Sequence, residues 1–557
     1  MDHKPLVVNG NELTIDDVVS VARFGRQVEI SSDPTVLERL RGSHHLVQRA
    51  VAEGKAIYGV TSGFGGMSQQ MIAPAEASEL QKNLLCFLKT GIGQRLPAAD
   101  VCAAMLLRAN SLVRGASGIR LEIIERLTIF LNAGVTPHMF DLGSIGASGD
   151  LVPLTNIAGA LVGLNDSFRV DFQGVTMGAP SALERLKLKP IELAPKEGLA
   201  LVNGTSALTG IAAGCLYDAR SLLAVTLATH SLMLQGLLAS NQPFHPFIHD
   251  QKPHPGQRFA AARMLELLEN SPLIRDEIRG GSRAPRGDRL IQDRYSVRCL
   301  PQYLGPIIDG MATAREQVEV EMNAATDNPL IDTEEERFFQ GGNFLGQYVS
   351  VAMDHFRSYL ALLAKHLDVQ IALLVEPSFN NGLPGSLVGN PERRVNMGLK
   401  GLQITGNSIM PMITHLGHSL ADQYPTHAEQ FNQNINSLGF GSVRLAQDSV
   451  GLFQHYLALA LIFGVQAVDL RTYLLKGHYD AGSCLSGMTL ALYHAVKEVI
   501  GRPADPQRPL IYNDDEQSLD SYQVALLIDL VSGRTLMSAL TTLVDQLRQY
   551  RPNKNRL

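Results

Sequence analysis

The chain has 557 residues, of which 45% are hydrophobic and 18% charged, and its formal net charge is −6. This mild acidic excess gives no reason to expect nucleic acid or an anionic membrane as a partner. The five cysteines form no CxxC pair, and the first residues lack the apolar stretch of a signal peptide, so we expect a cytoplasmic protein with reduced thiols. The apolar-rich composition predicts a large core or extensive subunit interfaces.

The first two hundred residues mix helices with short strands. A strand at 5–8 is followed by a helix that begins near Thr14, and apolar residues then recur at helical spacing in 36–53, 75–89, 99–113 and 119–133. Alternating residues and Gly174 predict a β-hairpin at 168–175. These elements predict a smaller α/β N-terminal domain over residues 1–202.

Long helices are predicted beyond Asn203, over 204–239, 303–324, 344–375, 395–421 and 440–470. Helices of this length predict a mainly α fold whose core is a long-helix bundle, residues 203–557, with no linker before it. The segment 221–248 carries no Asp, Glu, Lys or Arg and is long enough to cross a bilayer. Its polar side chains and prolines favour a buried core helix instead.

Two patterns suggest cofactors without supporting them. His245, His249 and His254 resemble a metal-ligand cluster, but intervening prolines exclude the continuous helix that an i, i+4 histidine pair needs. The glycine-rich loop at 63–66 has no P-loop lysine and no βαβ unit around it. We therefore expect neither a metal nor a nucleotide cofactor.

The run Gly-Ser-Ile-Gly-Ala-Ser-Gly-Asp-Leu-Val-Pro-Leu at 143–154 contains a tripeptide suited to cyclisation of the backbone. Gly149 has no Cβ, so its amide nitrogen can approach the carbonyl of Ala147, which is itself small. Ser148 between them can lose water and leave an exocyclic methylidene carbon. A bare Ala-Ser-Gly triplet usually marks a turn before a helix, so the assignment depends on the whole run.

This twelve-residue run closely resembles the signature of the aromatic amino acid ammonia-lyase and aminomutase family. Family members carry a methylidene-imidazolone prosthetic group made from the equivalent tripeptide. The resemblance implies that Ala147, Ser148 and Gly149 form this group here, with no external cofactor and no metal. It also implies a homotetramer in which several subunits share each active site.

Three further motifs match the family in chain order. Tyr58, in the segment 58–65, corresponds to the family's catalytic base, and Asn203 to an asparagine that contacts the prosthetic group and the substrate. Tyr295 and Arg298, in the segment 292–302, correspond to a second tyrosine and to the carboxylate-binding arginine, a role that suits the planar guanidinium fork. Because a free tyrosine has a pKa of about 10, Tyr58 would need local positive potential, for instance from helix N-termini.

Other matches complete the implied substrate site. Glu429 and Gln433 belong to a further matching segment, 426–434, Gln292 opens the segment 292–302, and Phe344 and Lys400 are weaker matches. Glu429 and Gln433 are spaced i, i+4, so on a helix they would share a face. The resemblance extends from about residue 7 to residue 546.

The segment 81–90 predicts which amino acid is bound, through Leu84 and above all through the pair Phe87-Leu88. Phenylalanine-selective members resemble this pair, whereas tyrosine-selective members have histidine at the position of Phe87 and histidine-selective members have Ser-His. An apolar wall suits a phenyl ring and would leave a tyrosine hydroxyl unpaired. The resemblance thus implies elimination of ammonia from L-phenylalanine to give trans-cinnamate. A tyrosine or histidine ammonia-lyase, a phenylalanine aminomutase and an inactive helical scaffold are the alternatives.

The glycine-rich segment 280–287, just before Tyr295, predicts a mobile lid. A mobile lid favours release of the product over re-addition of the amine, and so favours the lyase over the aminomutase.

Overall fold

The computed structural model describes residues 4–280 and 291–552, and the predicted mainly α fold is confirmed. The helices of the first two hundred residues are α1 Ile15–Ala22, α2 Pro34–Ala52, α3 Ala77–Phe87, α4 Ala98–Val113, α5 Leu121–Ala133, α6 Leu151–Val162, α7 Ala179–Arg185 and α8 Glu197–Val202. Thr14 and Asp17 form a capping box at the start of α1, since the Thr14 hydroxyl accepts from the Asp17 amide and the Asp17 carboxylate accepts from the Thr14 amide.

The later helices include the longest of the described chain. They are α9 Ser206–Gly236, α10 Pro246–Asp250, α11 Pro255–Leu267, α12 Glu277–Gly280, α13 Tyr295–Arg298, α14 Leu300–Met322, α15 Gln347–Val375, α16 Lys400–Leu416, α17 Gly439–Lys476, α18 Gly487–Ile500, α19 Leu519–Ser532, α20 Thr535–Ala539 and α21 Thr541–Gln549. The helix predicted over 204–239 is α9, Ser206–Gly236, and the rest of the uncharged segment 221–248 contains separate short turns with prolines at 243 and 246.

The strands are short and form small sheets. They are β1 Leu6–Val8, β2 Val28–Ile30, β3 Ile92–Arg95, β4 Thr136–Pro137, β5 Phe140–Leu142, β6 Arg169–Phe172, β7 Val175–Gly178, β8 Leu330–Asp332 and β9 Arg337–Phe339. β1 pairs with β2 in parallel, while β3–β5, β4–β6–β7 and β8–β9 are antiparallel. The predicted hairpin is β6–β7, and its turn residues Gln173 and Gly174 have φ of 52° and 75°, as a tight hairpin turn requires.

The chain divides into two compact units. The first consists of Met1–Tyr217, Ala314–Asp354 and Ser419–Gln447, and the second of Asp218–Thr313, His355–His418 and Asp448–Leu557. Four of the five unit boundaries fall within the long helices α9, α14, α15 and α17, and the fifth, between 418 and 419, falls just after α16. The division into 1–202 and 203–557 remains a prediction about domains.

Three helical stretches of the described chain are long and apolar enough to cross a membrane, namely Glu197–Gly236, Gln347–Val375 and Gly439–Lys476. Their most apolar windows are 94%, 44% and 83% buried inside the structure. Packing within the protein therefore accounts for most of the apolar surface of the first and the third.

Candidate active site

A cavity of about 420 Å³ in the first unit brings together most of the predicted site. The predicted residues that line it are Tyr58, Leu84, Phe87, Ala147, Ser148, Asn203, Phe344, Glu429 and Gln433. They come from six separate parts of the chain: the loop after α2, helix α3, the turn before α6, the end of α8, the approach to α15 and the turn before α17.

The Ala147-Ser148-Gly149 tripeptide lies in a turn directly before α6 that only small residues fit. Gly149 has a φ of 67°, and a Cβ added there would overlap the carbonyl of Gly204. That carbonyl accepts a hydrogen bond from the Asp150 amide at 2.8 Å, so the two segments cannot separate without losing it. Ala147 is 5% exposed. The bare Gly149 backbone is the steric condition that ring closure onto Ala147 requires.

The central residue of the tripeptide is held from two sides. The Asn203 side-chain amide donates to the Ser148 carbonyl, and the Gln433 side-chain amide donates to the Ser148 hydroxyl, both at 3.0 Å. Ser148 itself lines the cavity. The Asn203 hydrogen bond to the Ser148 carbonyl, the small buried residue before Ser148 and the glycine after it fit the methylidene-imidazolone group that the sequence implies.

A buried carboxyl group follows the tripeptide. Asp150 is fully buried and accepts hydrogen bonds from the Leu208 amide at 2.8 Å and from the Ser144 hydroxyl at 3.1 Å. Burial raises the pKa of Asp150 to about 7, although these hydrogen bonds act to lower it. The turn is thus fixed to the start of α9 through a group that titrates near neutral pH.

Tyr58 faces the cavity, and its hydroxyl oxygen accepts a hydrogen bond from the Gly65 amide at 3.0 Å. Burial raises the pKa of Tyr58, the Gly65 hydrogen bond lowers it, and the nearby Glu429 carboxylate raises it. Among the described residues, the surroundings of Tyr58 therefore hold its pKa above the usual value. This is opposite to the direction that we expected from helix N-termini.

Glu429 and Gln433 do not lie on a helix, which corrects the expectation from their spacing. They belong to a turn in which Ala428 and Gln433 form an isolated antiparallel bridge. Glu429 has a φ of 51°, and the two residues after it also have left-handed backbone conformations. Both side chains nevertheless line the same cavity, and burial raises the pKa of Glu429. A Cβ on Gly65 would overlap the Glu429 carboxylate, so the glycine of this loop allows the approach.

One wall of the cavity is apolar. Leu84 and Phe87, on one face of α3, line it together with Phe64, whose ring centroid lies 6.4 Å from that of Phe87. Leu88 is buried next to Phe87 but is not among the lining residues. The predicted pair thus contributes one side chain to the cavity and one to the packing behind it.

Four predicted residues belong to the second unit. Gln292 and Arg298 line a separate cavity of about 220 Å³ there, Tyr295 is 73% exposed, and Lys400 is an exposed residue at the start of α16. The Arg298 guanidinium lies 4.5 Å from the centroid of the Tyr295 ring. The structure therefore places these four residues together in one unit but does not bring them into the cavity that contains Ser148.

Several cavity residues were missed from the sequence, among them Phe64, Asn328, Gln340 and Asn432. Asn328 and Gln340 stand at the two ends of the β8–β9 hairpin and are linked by a hydrogen bond of 3.3 Å. Asn328 also accepts from the amide of Gly341 at 2.8 Å. The Asn-Pro and Gly-Gly pairs that bracket this hairpin are turn signals that could have indicated the position.

Two further expectations concern other parts of the chain. The predicted lid at 280–287 lies outside the described residues except for Gly280. No group of three or more His, Cys, Asp or Glu side chains suited to a metal occurs among the residues that the structure describes. His249 instead makes hydrogen bonds with the Pro243 carbonyl and the Gln257 side chain.

Known proteins are similar to this chain over nearly its whole length. The sequence model of the family described as aromatic amino acid lyase matches residues 13–498. The chain is 58% identical to the phenylalanine ammonia-lyase of Nostoc punctiforme, over 98% of this chain and 95% of that protein. It is 48% identical to the aromatic ammonia-lyase of Loktanella atrilutea, over 98% of this chain and 100% of that protein. The crystal structure of the tyrosine aminomutase from Streptomyces globisporus matches with a TM-score of 0.85 at 28% identity, over 97% of this chain and 99% of that one.

The fold and the matches define a carbon–nitrogen lyase, and the chain belongs to the aromatic amino acid lyase family. The family predicted from the run at 143–154 and from the accompanying motifs is thereby confirmed.

Proposed function

We propose that this chain is an ammonia-lyase that converts L-phenylalanine to trans-cinnamate and ammonia. The observation that carries the proposal is that Ser148 of the tripeptide and the apolar side chains Leu84, Phe64 and Phe87 line one cavity. A cavity of about 420 Å³ is large enough for an aromatic amino acid. Its apolar wall provides no partner for a tyrosine hydroxyl or an imidazole, which supports phenylalanine.

In this proposal Ala147, Ser148 and Gly149 form the methylidene-imidazolone, without an external cofactor. When present, the group supplies an electrophilic carbon that turns the amino group of the substrate into a better leaving group. Asn203 would hold residue 148 through its 3.0 Å hydrogen bond to the carbonyl, an oxygen that ring closure and dehydration leave in place. The Gln433 amide contacts the hydroxyl that leaves as water, so it is placed to assist the dehydration.

Tyr58 is the proposed base. The β-proton of the substrate moves to the Tyr58 oxygen while the α-carbon loses its amine, which leaves the double bond of cinnamate and free ammonia. The Gly65 amide already points at that oxygen and stabilises the oxyanion form of Tyr58. Because burial and Glu429 raise the pKa of Tyr58, additional positive charge is needed for the base to act at neutral pH.

The proposed source of that charge is a second subunit. We place Arg298, Tyr295, Gln292 and Lys400 of neighbouring subunits at each cavity of a cytoplasmic homotetramer. Arg298 would hold the substrate carboxylate in two parallel hydrogen bonds. The exposure of Tyr295 and Lys400 in the single chain supports this arrangement.

A substrate panel of phenylalanine, tyrosine and histidine, with identification of each product, tests the proposal. We expect trans-cinnamate as the main product and the highest kcat/KM for phenylalanine. Formation of β-phenylalanine as the main product would identify an aminomutase, and absence of any product would favour an inactive scaffold.

Intact mass tests the prosthetic group independently of turnover. The wild-type chain should weigh two water molecules less than its sequence, whereas Ser148→Ala should have the unmodified mass and lose nearly all turnover. Ser68→Ala is the matched control, because Ser68 lines the same cavity outside the tripeptide and its variant should keep the mass deficit. An unmodified wild-type mass would refute the proposed mechanism.

Phe87→His tests the choice of substrate. A histidine there would give a tyrosine hydroxyl a hydrogen-bond partner, so the ratio of the two kcat/KM values should shift toward tyrosine. An unchanged ratio would mean that the ring of the substrate does not point at Phe87.

A further inference from the structure

The segment 292–298 of the second unit carries Gln292, Tyr295 and Arg298, yet it has little internal structure. Its helix α13, Tyr295–Arg298, is a single turn of four residues, and Tyr295 is 73% exposed. A turn this short cannot fix the direction of its side chains by its own hydrogen bonds. Its geometry must be set by contacts from outside the segment.

One such contact holds the start of the segment. The Asp293 carboxylate accepts from the Ser240 amide at 2.8 Å and from the Arg275 guanidinium at 2.9 Å to each oxygen. Arg294, the next residue, stacks over the ring of Phe379 with its guanidinium carbon 4.2 Å from the centroid. The two residues before α13 are thus tied to three different parts of the second unit.

A second contact to α13 comes from Gln370, a fully buried glutamine. The Gln370 side-chain amide on α15 donates to the Ser296 carbonyl at 2.8 Å, and its oxygen lies 2.8 Å from His230 Nδ1. Since a carbonyl can only accept, the amide nitrogen of Gln370 must face Ser296. The oxygen then faces His230, which must donate from Nδ1. The orientation of Gln370 is therefore determined at both ends.

The histidine behind Gln370 is held in a neutral form. His230 is fully buried, and burial lowers its pKa to about 4. Its ring stands at 89° to that of His366, at 4.9 Å between centroids, and His366 packs against Tyr303 at 4.7 Å. Burial also lowers the pKa of His366, to about 2. Gln370 is therefore backed by uncharged, closely packed rings, and the hydrogen bond that His230 makes with it does not change near neutral pH.

We propose that Gln370 and Asp293 are positioning residues, which hold the segment 292–298 so that Arg298 can take the carboxylate of the substrate. The proposal rests on the proposed function, in which Arg298 binds the carboxylate of the substrate. His230 acts through Gln370 by fixing which way its amide points.

Gln370→Leu in the full-length chain tests this assignment. Leucine fills a similar volume but cannot donate to Ser296, so KM for phenylalanine should rise about tenfold while kcat changes less than threefold. In an Arg298→Lys background the same substitution should change KM less than twofold, because that variant already lacks the guanidinium group that Gln370 positions.

Gln466→Leu is the matched control. Gln466 is also a fully buried glutamine of the second unit, and its amide donates to the carbonyls of Leu387 and Ile511. We expect a comparable drop in unfolding temperature with an unchanged KM. An equal rise of KM in Gln370→Leu and Gln466→Leu would overturn the proposal. A tenfold rise of KM caused by Gln370→Leu in the Arg298→Lys background would overturn it as well.

Asp293→Asn provides a second variant if Gln370→Leu fails to fold. It keeps an oxygen for the Ser240 amide but loses the charge that attracts Arg275, and KM should again rise more than kcat falls. An unchanged KM in folded Asp293→Asn would contradict its positioning role. A wild type that forms no cinnamate would refute the proposed function. An active wild type whose variants keep the same KM would refute only the positioning roles.

Discussion

Each unit of the chain buries a lysine–aspartate pair, and the two pairs have very different surroundings. In the second unit, Lys497 Nζ lies 2.7 Å from Asp469, and both side chains are almost fully buried. Asp469 also accepts hydrogen bonds from the Tyr493 hydroxyl at 2.7 Å and from the Leu510 amide at 2.8 Å. One cation and one anion are thus matched, with extra donors for the carboxylate, as a stable buried pair requires.

The pair in the first unit, Lys196 and Asp327 at 2.6 Å, has a second cation beside it. Burial lowers the pKa of Arg108 to about 10, against the attraction of Asp327, so Arg108 is protonated at neutral pH. Its Nη2 atom donates to the Ser111 hydroxyl and to the Thr326 carbonyl, whereas Nε and Nη1 have no hydrogen-bond partner among the described residues. Arg108 packs against Gly204, the residue after Asn203, where a Cβ would overlap its guanidinium.

Two buried acids near the tripeptide also have no ion-pair partner among the described residues. Burial raises the pKa of Asp150 to about 7, and it raises that of Glu321, whose carboxylate accepts from the Thr205 hydroxyl. Unmatched buried charge is costly, and a chain selected only for stability would have little reason to keep it. The comparison indicates that the surroundings of the tripeptide are shaped by chemistry, and those of Asp469 by stability.

Asp327→Asn should have the largest effect. The substitution leaves Lys196 and Arg108 buried without a carboxylate, and breaking a buried pair in this way costs about 3–5 kcal/mol. Turnover per folded molecule should fall too, because Asn328, the next residue, lines the cavity. Thermal unfolding and kinetics on the same preparation measure both effects.

Asp469→Asn is the control for that experiment, since it breaks the matched pair. We expect a similar loss of stability but wild-type turnover per folded molecule. If both variants lose turnover equally, the two pairs do not differ in function and the comparison fails.

Asp150→Asn should flatten the dependence of stability on pH. The folded pKa of about 7 lies above the ordinary value of 3.8 for an aspartate, so the folded state binds more protons between these values. The contribution of protonated Asp150 is complete below about pH 4 and is lost as the pH rises through 7, a loss of about 4 kcal/mol at most. Unfolding temperatures from pH 4 to 8 should therefore fall less in the variant. Parallel curves for variant and wild type would show that burial does not raise this pKa.

Local signals predicted much of the fold. The hairpin turn at Gly174 and the cap at Thr14 are set by residues within a few positions of each other, and both occur as expected. The helix predicted over 440–470 is α17, which continues to Lys476 because no breaking residue precedes Gly477. The family's tripeptide and its two contacts, Asn203 and Gln433, also meet in one cavity.

The remaining features depend on contacts between distant segments. The turn at Glu429 has a left-handed backbone conformation and packs against the glycine loop at Gly65, far away in the sequence, so local spacing could not predict it. From the sequence alone, Arg108 cannot be told from a surface arginine. Its burial becomes evident only in the folded structure, where it packs against Gly204. Spacing alone contains no information on which charge will be left without a partner.

Arg108→Met is the smallest of the three effects and the most specific. Removing one unit charge roughly 10 Å from a reacting centre, at an effective dielectric constant of about 20, changes an electrostatic contribution by about 1–2 kcal/mol. Elimination builds negative charge on the substrate, so kcat should fall about tenfold. Stability should change by less than about 1 kcal/mol, because the gain from replacing an unmatched buried charge offsets the loss of its hydrogen bonds to Ser111 and to the Thr326 carbonyl.

Arg126→Met separates loss of charge at the site from loss of a buried arginine in general. Arg126 is also buried in the first unit, where it donates to the carbonyls of Leu161 and Lys189 and has Glu122 at 3.8 Å. Its loss should reduce stability and leave kcat unchanged, the reverse of the result for Arg108. If Arg108→Met keeps wild-type kcat but is less stable than Arg126→Met, the charge beside Gly204 is structural, and the contrast between the two buried pairs does not reflect catalysis.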